Sequence, residues 1–71
     1  MNVKAWLVLN SRSEMDAVVE RLKQIGYTDI TDINTLDWDL EIHTSISVSK
    51  EDFESTLEGV EGVRTAHVVE E

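Results

Sequence analysis

Cysteine is absent from the 71 residues of this chain, and glycine occurs only three times. Without cysteine, the chain has neither disulfides nor thiolate metal sites. Gly26, Gly59 and Gly62 are each expected at a helix end or a turn, so a glycine-rich loop around a phosphate is excluded. A chain this short forms one domain, residues 1–71, and buries only about 60% of its unfolded surface, so association with a second copy is expected.

Basic residues are also scarce, with six Lys and Arg against 15 Asp and Glu and a net charge of −9. No Lys or Arg occurs from Gln24 to Ser49, although five acids do. Such a surface repels phosphate backbones, so direct binding of nucleic acid or of an anionic membrane is not expected. It favours a basic partner, cations or a high-salt cytoplasm, and acidity that only keeps the protein soluble is an equal alternative.

Long apolar runs are missing as well. No segment approaches the roughly 20 apolar residues of a membrane span. The start, MNVKAWLVLN, lacks a small-residue cleavage site and leads directly into a helix signal. It is therefore interpreted as a strand rather than a signal peptide, and a cytoplasmic protein is expected.

The first half of the chain predicts a strand followed by a helix. Apolar residues alternate from Val3 to Leu9, as in a strand. A helical stripe then follows, with Ser11 or Ser13 as the cap at its start and Gly26 in the left-handed conformation at its end. The stripe consists of Met15, Val18, Val19, Leu22 and Ile25.

The second half predicts a strand pair, a short helix and a last strand. Tyr27–Asn34 is a short or bulged strand because its apolar residues are three apart. After a turn at Asn34-Thr35, the segment LDWDLEIHTSISV, Leu36 to Val48, alternates as a long strand. A helix begins after Ser49 and a last strand covers Val63–Val69, with Glu70 and Glu71 as a frayed tail.

This order of elements, βαββαβ, predicts an α+β ferredoxin-like sandwich. Its four-stranded antiparallel sheet has the first and third strands at the centre and two helices on one face. The helices are expected to cover Val3, Ala5, Leu7, Leu9, Trp38, Leu40, Ile42, Ile46 and Val48. The open face then shows Lys4, Trp6 and Val8 beside Asp39, Glu41, His43 and Ser45, and Lys4 is expected to pair with Asp39 or Glu41.

Catalytic chemistry is not predicted. The only histidines are His43 and His67, and Ser45 beside His43 on a sheet does not make a nucleophilic triad. The alternating carboxylates Asp37, Asp39 and Glu41 look exposed, which argues against a raised pKa, and they lie about 6.6 Å apart along a strand. One metal needs its ligands around a common point, so this spacing does not favour a metal site. Together these observations lead us to expect no enzyme activity, no metal and no cofactor.

Two short segments, Leu36-Asp37-Trp38-Asp39-Leu40 and Gly62-Val63-Arg64-Thr65, are similar to landmarks of the ACT-like domains called RAM domains. These domains occur at the C-terminus of Lrp/AsnC-type transcription regulators and sometimes alone. The resemblance implies a homodimer formed through sheets or sheet edges. It also implies a small ligand, often an amino acid, near the turn, where Asn34, Asp37 and Asp39 would lie.

Two hypotheses about function stay open. The first is a non-enzymatic binding or regulatory module that dimerises through the open face. The second is an acidic inhibitor of the phage type, a nucleic-acid mimic such as an anti-CRISPR, which blocks the basic groove of a nucleic-acid-binding protein. Adaptation to high salt is a further explanation of the acidity. The partner-binding residues predicted from these hypotheses are Lys4, Trp6, Val8, Asp37, Asp39, Glu41 and His43.

Overall fold

Strand β1 (Asn2–Leu9) runs through the middle of the sheet, and its alternation divides its side chains between two faces. The computed structural model describes all residues, 1–71. On β1, Val3, Ala5 and Leu7 are completely buried, while the residues between them are only half-buried. One face of the sheet therefore faces the core, and the other face has no helix over it.

The remaining elements follow in the predicted order. The sheet order is β2-β3-β1-β4 and every neighbouring pair is antiparallel, so β1 is parallel to β2 and β3 is parallel to β4. The ferredoxin-like prediction is confirmed, with β1 and β3 at the centre. The elements after β1 are a 3-10 turn (Arg12–Glu14), α1 (Met15–Gln24), β2 (Ile30–Asp32), β3 (Leu40–Ser45), α2 (Lys50–Glu58) and β4 (Val63–Glu70).

The core lies between the helices and the inner face of the sheet. Helix α1 contributes Val18 and Leu22, helix α2 contributes Phe53 and Leu57, and no charged or polar residue is buried with them. Tyr27 packs edge-on against Phe53 with ring centres 5.3 Å apart. The sheet completes the core with Val3, Ala5, Leu7, Leu9, Leu40, Ile42, Val63, Ala66 and Val68.

Capping residues set the helix boundaries. The Ser49 hydroxyl accepts a hydrogen bond from the Asp52 N–H at the start of α2. Ser11 does the same for Ser13 at the 3-10 turn that precedes α1. Gly26 takes the expected left-handed conformation at φ 108°. Because α1 ends at Gln24, Ile25 lies outside the buried stripe and is 52% exposed.

The predicted boundaries of the third strand were wrong at both ends. β3 begins at Leu40, because a hairpin loop occupies the residues before it. In this loop Thr35 N–H donates to the Trp38 carbonyl, and Trp38 N–H donates to the Thr35 hydroxyl. Asn34 is left-handed at φ 44°. Beyond the other end of β3, Val48 is 51% exposed instead of covered by a helix.

The last strand is longer than predicted. β4 includes Glu70, and Glu71 N–H still donates to the Asn2 carbonyl on β1. The expectation of a frayed tail at Glu70 and Glu71 was therefore wrong. The extra pairing brings the Glu71 side chain to the open face, where it meets His43.

Candidate functional site

The open face carries a patch of three aromatic rings, Trp6, Trp38 and His67, which we call the ring patch. The ring centres lie 6.1 Å apart for Trp6–Trp38, 6.1 Å for Trp6–His67 and 6.3 Å for Trp38–His67. Their planes differ by only 16–29°. Near-parallel rings at the corners of such a triangle cannot all overlap face to face, so they are offset and form a broad aromatic surface.

Trp38 was predicted in the core, and that prediction was wrong. The alternation that assigned it to the helix side does not apply, because residues 33–39 form the hairpin loop and not a strand. The loop places the Trp38 ring on the open face against Trp6, where it stays half-buried. The third ring comes from β4, since His67 is in register with Trp6 across the antiparallel pair.

Glu41 joins the ring patch to a histidine. Its Oε1 accepts a 2.9 Å hydrogen bond from the Trp6 indole N–H, and its Oε2 lies 3.2 Å from His43 Nε2. The Trp6 and His43 hydrogen bonds hold the pKa of Glu41 below its ordinary value. The carboxylate of Glu41 is therefore fixed at the edge of the Trp6 ring.

His43 lies between two carboxylates. Its second ring nitrogen, Nδ1, lies 2.5 Å from Glu71 Oε1. A neutral imidazole has only one N–H, so only the protonated ring can donate to both acids. Accordingly the hydrogen bond to Glu41 and then the charge of Glu71 raise the pKa of His43.

Lys4 does not form the predicted ion pair with Asp39 or Glu41. Its Nζ instead lies over the Trp6 ring, 5.0 Å from the ring centre. Lys4 is opposite His43 in the β1–β3 register and is half-buried. The open face therefore combines a cation on a ring with a carboxylate at the edge of the same ring.

Asp39 was predicted in the carboxylate row of the open face, but it has a structural role. Its Oδ2 accepts the Leu9 N–H at 2.8 Å, and its Oδ1 accepts from Arg12 at 2.9 Å. The Leu9 N–H, followed by Arg12, holds the pKa of Asp39 below its ordinary value. The Nη2 of Arg12 also donates to both carboxylate oxygens of Asp32. Arg12 therefore connects the 3-10 turn after β1 to both β2 and the hairpin loop.

The other predicted site residues are not brought together. Val8 is half-buried on the open face, opposite Thr65 of β4. Asn34 and Asp37 are exposed in the hairpin loop, and no pocket lies beside them. No group of three or more His, Asp and Glu side chains is placed to hold a metal ion.

Sequence reasoning missed His67 and Glu71 as residues of the open face, and it missed the exposure of Leu36 in the hairpin loop. The alternation of β4 carried a usable signal, because buried Ala66 and Val68 place His67 on the face of Trp6. Leu36 is fully exposed at the tip of the hairpin loop, two residues before Trp38. Its exposure had no sequence signal, since its alternation with Trp38 and Leu40 resembled a strand.

Neither helix is both long and apolar enough to cross a membrane. No protein-family model matches the chain, and comparison with curated proteins and with solved structures gives no match either.

Proposed function

We propose that this chain is a non-catalytic binding or regulatory module that docks a protein on its open sheet face. The observation that carries the proposal is the ring patch: two tryptophans and a histidine on a face that no helix covers. Contiguous aromatic surface of this kind commonly marks a contact site. Tryptophan is also among the residues that contribute most to binding at protein interfaces.

The fold does not need the ring patch for its core. All 13 buried apolar residues lie between the helices and the inner face of the sheet, or at the ends of strands that border it. Trp6, Trp38 and His67 therefore add little to the enclosed core. The ring patch is available to bind a partner.

A second copy of the chain is one occupant that the open face would accept. The face carries both signs of charge, with Lys4 on central strand β1, Glu41 on neighbouring β3 and Glu71 just after β4 on the opposite side of β1. A two-fold interface would set the lysine of each copy near carboxylates of the other. This arrangement agrees with the homodimer implied by the resemblance to RAM domains, but it brings together two chains of charge −9.

The acidic surface favours a second candidate function. An inhibitor that blocks the basic groove of a nucleic-acid-binding protein needs an excess of carboxylates, and this chain has 15 acids against six bases. On this proposal the open face and its acidic surroundings enter the groove in place of nucleic acid.

Site-specific photo-crosslinking tests the use of the open face. A photoreactive phenylalanine analogue at Val69, on the open face of β4, is compared with one at Glu20, exposed on α1. Crosslinks to another protein or to a second copy are expected from position 69 and not from position 20. Equal crosslinking from the two positions, or none from position 69, would contradict the proposal.

Light scattering then separates the two occupants. A mass that corresponds to two chains, and that falls to one chain on Trp6→Ala but not on Ile25→Ala, identifies a homodimer. Ile25 is the matched control because it is also apolar and 52% exposed, but lies at the end of α1. A single-chain mass in all three proteins leaves the open face to a different partner.

A further inference from the structure

Lys4 indicates what the ring patch attracts. Its ammonium lies 5.0 Å from the centre of the Trp6 ring, and no carboxylate lies within ion-pairing distance of it. The electron-rich face of an indole attracts a cation in this position. We infer, on the basis of the proposed function, that the partner presents an extended basic segment whose arginine and lysine side chains take the place of Lys4 on the ring patch.

Glu41 strengthens Trp6 as a cation site. The indole N–H donates to the Glu41 carboxylate at 2.9 Å, so a negative charge lies at the edge of the ring. That charge attracts a cation held over the ring face, and it also polarises the indole toward a more negative face. The side chain is only 23% exposed, so the charge is less screened by water than that of a free surface acid.

Trp38 offers a second ring without a cation over it. Its centre is 6.1 Å from that of Trp6, and the two planes differ by 29°. In an extended peptide, side chains two residues apart point the same way and lie about 6.6 Å apart. Alternate arginines of an extended segment therefore match the spacing of the two indoles, and a flat guanidinium stacks well on either ring.

The charge of the whole chain favours a basic occupant over the alternatives. At −9, the chain attracts a basic segment from a distance and repels single-stranded nucleic acid and a second copy of itself. Nucleic-acid bases would also stack on aromatic rings. Both bases and guanidinium groups fit the shape of the ring patch. The net charge of the chain favours the guanidinium groups.

The test uses capped peptides as probes. An eight-residue peptide of alternating arginine and serine is titrated into the full chain, with binding followed by the tryptophan fluorescence and by NMR shifts of the ring-patch residues. The matched control replaces each arginine with citrulline, which has a similar shape without the charge. An alternating glutamate–serine peptide and a thymidine oligonucleotide represent the anionic partners.

Substitutions at Lys4 and Glu41 are expected to change the affinity for the arginine peptide in opposite directions. Lys4→Gln removes the competing ammonium and is expected to tighten binding of the arginine peptide by roughly two- to fivefold. Glu41→Gln keeps an acceptor for the Trp6 N–H but removes the charge, and is expected to weaken binding by a similar factor. Lys23→Gln and Glu20→Gln make the same changes of net charge on the exposed surface of α1, and correct for long-range attraction.

Three results together support the inference. The arginine peptide shifts the NMR signals of the ring patch, and the citrulline peptide binds at least about tenfold more weakly. Lys4→Gln tightens binding of the arginine peptide more than Lys23→Gln does. The inference is overturned if the arginine peptide does not bind, if Lys4→Gln has the effect of Lys23→Gln, or if the anionic probes bind as well. A homodimer that Lys4→Gln weakens would also overturn it while supporting the proposed function. Peptide shifts on the helices alone would contradict both.

Discussion

At the scale of single residues, the charge of His43 on the open face is expected to respond to pH near neutrality. Glu41 and Glu71 contact its two ring nitrogens, and Lys4 lies opposite it on β1. The hydrogen bond to Glu41 is the main cause that raises the pKa of His43 above 6.5. We therefore expect an NMR titration of the imidazole to give a pKa above 6.5, and Glu41→Gln to lower it.

The same contacts set a pH range for folding stability. The raised pKa means that protonated His43 stabilises the folded chain fully below pH 6.5, and this contribution disappears as the pH rises through the higher folded pKa. Glu41 has a lowered pKa, so its contribution is present above pH 4.5 and disappears as the pH falls through the lower folded pKa. A His43 pKa at or below 6.5 in the folded chain would contradict this account.

The sequence predicted some of these residues on the open face but not their contacts. Alternation alone placed Lys4, Trp6, Glu41 and His43 correctly, because β1 and β3 are regular where those residues lie. It did not place Trp38, whose position depends on hydrogen bonds of the hairpin loop with Thr35. The alternation of apolar and polar residues therefore predicts which face of the sheet a side chain occupies where the strand is regular. It fails in a loop whose shape depends on side-chain hydrogen bonds.

At the scale of elements, the approach of β4 to α1 depends on Gly62. Gly62 has φ 97°, and a Cβ added there would lie 2.5 Å from the Cγ2 of buried Val18. Alanine would therefore both strain the backbone and displace a core side chain of α1. We expect Gly62→Ala to lower the free energy of unfolding by about 2–5 kcal/mol, the sum of backbone strain and overpacking.

Gly26 supplies the matched control for this prediction. It also has a positive φ, 108°, but nothing lies within 4 Å of an added Cβ. Gly26→Ala should lower the stability by only about 1–2 kcal/mol, from the backbone alone. Urea denaturation of both variants measures the difference, and equal losses would show that β4 and α1 are not closely packed at Val18.

The elements themselves follow from local signals to different degrees. Helix α2 was predicted accurately because Ser49 caps it and Phe53 and Leu57 form its inward stripe. Strand β2 was predicted as short or bulged over Tyr27–Asn34, and the strand itself covers only Ile30–Asp32. The ends of β2 depend on contacts with residues distant in the sequence, such as the hydrogen bond from Arg12 to Asp32. A local sequence pattern does not predict such contacts.

At the scale of the whole molecule, charge and size together determine how salt acts. The chain extends 31 × 25 × 18 Å and carries a net charge of −9. At about 0.01 M salt the screening length is about 30 Å, so acids repel one another across the entire molecule. At about 0.15 M it falls to about 8 Å, less than the smallest dimension, and only neighbouring charges interact.

Salt is therefore expected to act in opposite directions on folding and on binding. Raising NaCl from about 0.01 to about 0.15 M should increase the urea concentration at the unfolding midpoint, because self-repulsion is screened. The same change should weaken the complex with a basic partner, because the attraction between the two is screened as well.

Measuring both the unfolding midpoint and the peptide affinity along one salt series separates the two explanations of the acidity. A fold that gains stability and an arginine peptide that loses affinity support a basic target, whereas a gain in stability with no salt-sensitive binding supports adaptation to high salt alone. A midpoint that does not change would contradict the self-repulsion argument itself.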